Sequence, residues 1–464
     1  MIRIFHHYVP TSYLALLLVE GGIFFISIYV GSILRFSAID SEIDSLGPLW
    51  PRAIIYFVLL TCTMTAMGMY DRHSRNSMSS MILRIVIAFF LGFILISLFF
   101  YIFPVLYIGR GVLLIAVLVS FISIITGRVI FTKYLDLKHI NQRILVLGAG
   151  QKAAALEKLL RRKADRRGIE LVAYVALSGE LVVSDSKVLK YDISLKDIVT
   201  QNNIDEIVLA VDDRRNSFPL DEIVDCRMGG VMVSDFVTFI ERRACKILVT
   251  DLDPSWLMHS DGFGYGLLND VVTRVFDIVV SSILLIVFSP VLLIAILAMF
   301  FEDRCRGGVF YHQVRVGLNG QVYTIYKLRS MCADAESSGE ARWASEGDDR
   351  VTKVGAILRK LRIDEVPQLF NVIKGNMSLV GPRPERPEFV EDLKKEVAYF
   401  SERHRVKPGI TGWAQICYPY GASTEDSKAK LEYDLYYVKN RNLFLDLVIL
   451  FQTVQVILFG KGAR

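Results

Sequence analysis

The stretch VFDIVVSSILLIVFSPVLLIAILAMFF, residues 275–301, decides how the chain must be arranged around a membrane. It exceeds the ~20 apolar residues that a helix needs to cross the hydrocarbon core. Ser289-Pro290 falls in its middle, and proline both removes a helical hydrogen bond and crowds the turn before it, so a kink is expected there. Basic residues stand on both sides, Arg274 before and Arg304, Arg306 and Arg315 after. A straight crossing would carry everything downstream to the far side of the membrane. A helix that enters, bends at Ser289-Pro290 and returns keeps both flanks on the side where bases gather. The expectation is a re-entrant helix over residues 271–301.

Four more apolar blocks open the chain, at Tyr13–Leu34, Ala53–Tyr70, Met81–Tyr107 and Val112–Thr132, each near or above spanning length. Arg3, His6 and His7 precede the first, and Asp40, Glu42 and Asp44 follow it. Asp71, Arg72, His73 and Arg75 follow the second, Arg110 lies after the third, and Lys133, Lys138, His139 and Arg143 come after the fourth. This pattern predicts a four-span membrane bundle over residues 1–138 with both ends in the cytoplasm. Glu20 either faces a partner helix or cavity, or stays solvated near the interface. Arg84, one turn into its span, is expected to snorkel to the cytoplasmic surface.

Hydrophobic residues make up 53% of the 464, and their concentration in these blocks is what marks a membrane protein. The net charge of +5 is modest. Bases beside apolar segments favour anionic lipid head groups, and no nucleic-acid partner is expected. Six cysteines lie far apart without a CxxC pair, which argues against a zinc site or a disulfide framework and suits a reducing cytosol.

From residue 139 to 257 the pattern becomes α/β. Strands are predicted at Ile144–Leu147, Leu171–Leu177, Glu206–Val211 and Val231–Val233, with a helix at Ala153–Leu160, as in a small Rossmann-like domain. Gly148-x-Gly150-x-x-Ala153 stands where a dinucleotide fingerprint would. The second strand ends without a carboxylate to hold a ribose, and the Tyr-x-x-x-Lys match at Tyr134–Lys138 precedes the loop. A degenerate nucleotide fold used for assembly or regulation is expected. Leu252–Gly266, with Asp253-Pro254, reads as the linker out of it.

Residues 258–464 are polar and dense in motifs. Asn319-Gly320 between β-rich runs predicts a hairpin that projects Arg315, Lys327 and Arg329, which could bind a diphosphate or form a solvated face. Leu358, Leu361, Leu369 and Ile373 have helical spacing, so a helix buried on one face is expected around the adjacent carboxylates Asp364 and Glu365. Arg359, Lys360 and Arg362 surround that pair. Bases hold a carboxylate ionised and attract phosphates, and an ionised aspartate can attack phosphorus. An ordinary charged helix face fits the same residues. Leu443–Phe459, with Asp446, Gln452 and Gln455, suits a helix lying in the membrane interface.

The ordered motifs resemble those of the bacterial polyprenyl-phosphate phosphoglycosyl transferases. They are Ser289-Pro290, Gln313–Gly317, Tyr326–Met331, Asp349–Gly355, Ile363–Gln368, Gly375–Pro384 and Lys407–Trp413, and the match covers about residues 269–461. The bundle and the degenerate domain resemble the long members of that family. The resemblance implies a membrane α-helical bundle, an α/β Rossmann-like domain and a mixed α/β catalytic domain with a re-entrant helix. It implies transfer of a sugar 1-phosphate from a UDP-sugar to polyprenyl (undecaprenyl) phosphate, with release of UMP, at the start of exopolysaccharide or O-antigen-type assembly.

By the same resemblance, Asp364 is the nucleophile and a Mg²⁺ contact, and Glu365 completes the dyad. Arg359, Arg383, Lys327, Arg315, Arg329 and Lys407 bind the phosphates or nucleotide, and Ser289 and Pro290 form the re-entrant break. A homodimer in the bacterial inner membrane, with its catalytic domain on the cytoplasmic face, is implied. Asn376 and Lys407 stand where many members have aspartate and arginine. Rival readings are a membrane-bound nucleotide-sugar dehydratase or epimerase, and a non-enzymatic scaffold for polysaccharide assembly.

Overall fold

In a computed structural model of the chain, the described residues are 2–4, 7–9, 11–37, 47–70, 78–134, 141–160, 168–177, 181–183, 188–191, 193–212, 218–250, 252, 262–263, 266–303, 308–332, 350–418, 421 and 423–458. Asp40, Glu42, Asp44, Asp71, Arg72, His73, Arg75, Lys138, His139, Asp253, Pro254, Arg304, Arg306 and Asp349 lie outside them. Two compact units emerge, Thr126–Leu257 and the remainder, Met1–Ile125 with Met258–Arg464.

The larger unit opens with an unanticipated antiparallel hairpin, β1 (Ile2–Ile4) and β2 (His7–Val9). Helices α1 (Thr11–Ser37), α2 (Trp50–Ala66), α3 (Met78–Ile102) and α4 (Arg110–Tyr134) follow. Phe24, Ile28, Tyr56, Leu60, Met64, Ile85 and Phe89 form the shared core of this bundle. Against lipid such a core gains from close packing rather than from transfer out of water, because acyl chains are as apolar as these side chains. Among the described residues, four helical segments are long and apolar enough to cross a membrane: Tyr13–Ser37, Met78–Ile102, Arg110–Phe131 and Leu267–Glu302. The second apolar block gives a shorter helix of 17 residues, because the chain turns at Gly68, whose φ of +67° an L side chain resists.

Polar residues inside this unit are held by protein. The Tyr70 hydroxyl donates to Glu20 at 2.5 Å, and the Tyr56 hydroxyl pairs with Ser120 at 2.8 Å. Arg84 does not snorkel. It is buried and donates to the Met67 carbonyl at 3.1 Å, because the turn after α2 leaves that carbonyl pointing into the bundle.

The smaller unit is an α/β domain built on one parallel sheet. Its elements are β3 (Gln142–Leu147), α5 (Gln151–Leu159), β4 (Ile169–Ala176), β5 (Val188–Lys190), α6 (Leu195–Gln201), β6 (Glu206–Leu209), α7 (Leu220–Met228), β7 (Met232–Asp235) and α8 (Phe236–Ala244). The order is β5-β4-β3-β6-β7. Four of these strands lie where the apolar runs placed them. The short β5, with Leu189 exposed, offers no alternation or apolar run to read.

Helix α9 (Leu267–Asp303) returns the chain to the larger unit. It continues through Pro290, and the reason Ser289 suits that site is visible. Proline cannot donate to the carbonyl four residues back, at Ile286, and the Ser289 hydroxyl donates to that carbonyl instead at 2.7 Å. The antiparallel pair β8 (Phe310–Val316) and β9 (Val322–Leu328) follows, with Asn319 at φ 54° and Gly320 at φ 79° in the connection, as the Asn-Gly signal predicted.

Next come α10 (Lys353–Lys360), α11 (Gln368–Lys374), β10 (Ser378–Val380), α12 (Pro387–Glu396), β11 (Gly409–Thr411), α13 (Trp413–Cys417), α14 (Thr424–Asn440) and α15 (Leu443–Leu458). In α15 the polar residues Asp446, Gln452 and Gln455 are buried against protein rather than turned to an interface. The Tyr437 hydroxyl donates to Asp446 at 2.8 Å, and Gln455 lies against Gly68 after α2.

Candidate active site

The spacing of Leu358, Leu361, Leu369 and Ile373 predicts a long helix, and here the structure departs from it. Helix α10 starts well, with the Thr352 hydroxyl accepting from the Gly355 amide at 2.9 Å. Gly355 must be glycine because a Cβ there would meet the Ser330 carbonyl oxygen at 2.1 Å. The helix ends at Lys360. Arg362 then takes a left-handed conformation, φ 54°, and Ile363–Glu365 makes a single tight turn before Pro367 and α11. Leu361 is consequently 54% exposed rather than buried. A non-glycine residue held left-handed costs on the order of 1–3 kcal/mol, so the break is enforced by its surroundings. It places both carboxylates inside: Asp364 is 8% exposed and Glu365 9%.

The two acids differ in their partners. Glu365 Oε1 accepts from Lys327 Nζ at 3.2 Å and from Arg383 Nη2 at 3.1 Å, while Oε2 accepts from Arg362 at 3.4 Å. Among the described residues, no protein donor hydrogen-bonds the Asp364 carboxylate, although Lys327, Arg359 and Arg383 stand close enough to act on it. Burial, followed by the adjacent Glu365 charge, pushes the Asp364 carboxyl up to about 6. Burial also acts to raise Glu365, but Lys327, Arg383 and Arg362 outweigh it and hold that carboxyl far below the usual range. One acid is saturated by cations and stays ionised. The other is open on its oxygens and titrates near neutrality.

Strand β9 delivers Lys327, and its register is pinned by Asn371 of α11, which sequence reasoning missed. Asn371 Oδ1 accepts from the Tyr326 amide at 3.1 Å and Nδ2 donates to the Thr324 carbonyl at 2.7 Å. Arg274 of α9 caps the end of α11, donating to the carbonyls of Val372 and Ile373 at 2.5 and 2.6 Å. Asp277, one turn on, accepts from the Leu379 amide at 3.1 Å. The polar residues of an otherwise apolar helix thus grip the backbone that carries the dyad.

The remaining predicted residues divide. Arg359 donates to the Ser330 hydroxyl at 2.8 Å on the dyad's edge. Arg315 donates to the Pro384 carbonyl at 3.1 Å and pairs with Glu385 at 3.6 Å, one step behind Arg383. Arg329 gives its Nε proton to the Gly308 carbonyl at 2.8 Å. Lys407 lies in a different charged group with Arg274, Asp277, Arg441 and Asp270, and burial followed by Arg274 lowers its pKa. Ser289 and Pro290 are exposed on α9.

Among the described residues, no group of three or more His, Cys, Asp or Glu side chains gathers to cage a metal ion. Mg²⁺ does not need one, since it keeps several waters and takes one or two carboxylates beside substrate phosphates. A divalent ion at this site would find the Asp364 carboxylate and draw its other ligands from phosphate and water.

The glycine loop of the smaller unit is already filled. Asp212 accepts from the amides of Gln151 at 2.6 Å and Lys152 at 3.0 Å, so a carboxylate of the chain sits at the helix start where a phosphate would go. Asp212 Oδ2 lies 2.0 Å from where a Cβ on Gly150 would stand. The glycine makes room for the aspartate.

Residues 268–460 match the family described as bacterial sugar transferase. The chain is 47% identical over 193 residues to the UDP-N-acetylgalactosamine-undecaprenyl-phosphate N-acetylgalactosaminephosphotransferase of Aeromonas hydrophila, covering 42% of this chain and 45% of that protein. It is 41% identical over 198 residues to the UDP-glucose:undecaprenyl-phosphate glucose-1-phosphate transferase of Klebsiella pneumoniae, covering 42% of each. These two matches span less than half of either relative. A Caulobacter vibrioides protein of the same UDP-glucose description is 38% identical over 196 residues, 42% of this chain and 72% of that one. The dyad, its cations, and Arg274 and Asp277 that hold α11 and β10 all fall inside the matched segment, and the chain belongs to the bacterial sugar transferase family.

Proposed function

We propose that the chain transfers a sugar 1-phosphate from a UDP-sugar to undecaprenyl phosphate through a covalent intermediate on Asp364. The observation that carries this reading is the asymmetry of the dyad: Glu365 is consumed by three cations, while the Asp364 carboxylate accepts no bond from a described residue. An Asp364 oxygen attacks the sugar-linked phosphorus, a P–O bond forms, and the bond to UMP breaks with its electron pair leaving on UMP. An oxygen of undecaprenyl phosphate then attacks the same phosphorus. The Asp364–phosphorus bond breaks, the carboxylate is regenerated, and the lipid-linked diphosphosugar departs. Arg359, Lys327 and Arg383 offset the charge that builds on the phosphoryl oxygens. Asp364 would hold a Mg²⁺ ion, whose charge would help neutralise the departing nucleotide.

The supporting architecture extends the same reading. Residues 1–138 form the membrane bundle, 139–257 a degenerate Rossmann-like domain and 258–464 the catalytic domain. The strand order of the smaller unit is that of a dinucleotide fold, and Asp212 in its phosphate seat favours an assembly or regulatory role. The Ser289-Pro290 step in α9 is where a re-entrant helix would bend, keeping the dyad on the cytoplasmic face of the inner membrane beside the lipid phosphate. A homodimer is the proposed assembly.

Membranes containing the protein, incubated with undecaprenyl phosphate and a panel including UDP-glucose and UDP-N-acetylgalactosamine, are expected to release UMP with one of them. No UMP from any sugar would refute the reading. The pH dependence follows from the dyad. The reactive form of Asp364 is the carboxylate, and its pKa is raised to about 6. Turnover therefore falls about tenfold per unit as pH drops below about 6, with one proton involved. A flat profile between pH 5 and 7 would show that Asp364 does not titrate in the rate-determining species.

A further inference from the structure

Prolines on both sides of Arg383 leave the Pro382-Arg383-Pro384 segment without backbone donors at two of its three positions. Its carbonyls must hold it, and all three are taken. The Gly409 amide donates to the Pro382 carbonyl at 3.0 Å, Arg403 Nη2 to the Arg383 carbonyl at 3.0 Å, and Arg315 Nη1 to the Pro384 carbonyl at 3.1 Å. The next carbonyl, of Glu385, accepts from the Val316 amide at 3.0 Å.

The donor on Arg383 itself is the unusual one. Arg403 Nη2 stands 2.7 Å from Asp434 Oδ2 of α14, with the two side chains 7% and 2% exposed, and its guanidinium lies over the Phe400 ring at 5.1 Å. A buried ion pair rarely gains over apolar packing of the same volume, because desolvation offsets the attraction. This pair nevertheless ends on the one backbone atom group that carries the Arg383 side chain to Glu365, at 3.1 Å.

We infer that Arg403, held by Asp434, is a positioning residue that fixes Arg383 against Glu365 and so sets the charge surrounding Asp364. The inference rests on the proposed role of Asp364. Neither Arg403 nor Asp434 touches the dyad. Their effect travels through one carbonyl and one guanidinium.

The test uses the full chain in nanodiscs, with kcat and KM for UMP release measured for Arg403→Gln, Asp434→Asn, Arg383→Gln and the Arg403→Gln/Arg383→Gln double variant. Arg403→Gln is expected to lower kcat about tenfold to a hundredfold, the scale of a lost charged hydrogen bond. The KM for the UDP-sugar stays within about twofold, the same split that Arg383→Gln gives, because Arg403 acts only through the Arg383 backbone. In the Arg383→Gln background the same substitution moves neither quantity further, as expected for residues acting as one unit.

If Arg403→Gln does not yield folded protein, the isosteric Asp434→Asn decides, with the same fall in kcat expected. An unchanged kcat, or losses that multiply independently in the double variant, would overturn the inference while leaving the proposed function intact. Wild-type protein that releases no UMP would overturn both.

Discussion

Asp364→Asn is expected to cut UMP release by roughly four orders of magnitude or more, the scale of losing a covalent nucleophile. With a UDP-sugar labelled in the sugar, wild-type protein quenched in acid carries label and the variant carries none. The substitution separates chemistry from folding. Asparagine keeps the volume, and the wild-type carboxylate accepts no hydrogen bond from a described residue that the amide would forfeit. The sign of the stability change also follows. The folded pKa, about 6, lies above the ordinary 3.8, so the fold binds that proton more tightly than the open chain does. This group's contribution is most favourable below 3.8 and is lost as pH rises through about 6. At neutral pH the ionised acid weakens the fold, and asparagine leaves the unfolding midpoint unchanged or higher. A variant with normal turnover refutes the nucleophile.

Glu365→Gln has the opposite signature. It leaves Lys327, Arg362 and Arg383 converging on a neutral amide. Removing one partner of a buried ionic cluster costs about 3–5 kcal/mol, and because Arg383 is 36% exposed the lower end applies, about 3 kcal/mol. The unfolding midpoint in detergent drops by several degrees, and UMP release falls with it as Arg383 and Lys327 lose their anchor. Any residual activity carries a second mark. With the Glu365 charge gone, one of the influences that raise the Asp364 pKa is removed, so the acid limb moves to lower pH. Full stability, or a limb displaced upward, is incompatible with the described dyad.

Much of this was readable in the chain. Periods and punctuation placed four of the five strands of the parallel sheet, and Asn319-Gly320 placed the β8–β9 hairpin, because turns that need positive φ leave a strong residue signature. The dyad was visible as Asp364-Glu365 amid bases. Its conformation was not, since the left-handed Arg362 is imposed from outside and the apolar spacing on either side of it reads as one helix. Arg84 and the polar residues of α15 were misplaced for a common reason: hydropathy says how apolar a segment is, not which neighbour will meet its exceptions. Asn371, Asp212, Arg403 and Asp434 act through backbone amides and carbonyls far away in sequence. Such partners follow from the folded path alone.

Arg274 and Asp277 have a last consequence. Because these two side chains of α9 clasp main-chain groups at the end of α11 and in β10, the buried segment and the catalytic turn cannot slide past one another. In the proposed re-entrant arrangement, the depth of α9 in lipid would set the height of the Asp364 carboxylate above the acyl chains. On that proposal acceptor choice would be partly a matter of altitude, with bilayer thickness and head-group size tuning which lipid phosphate is met.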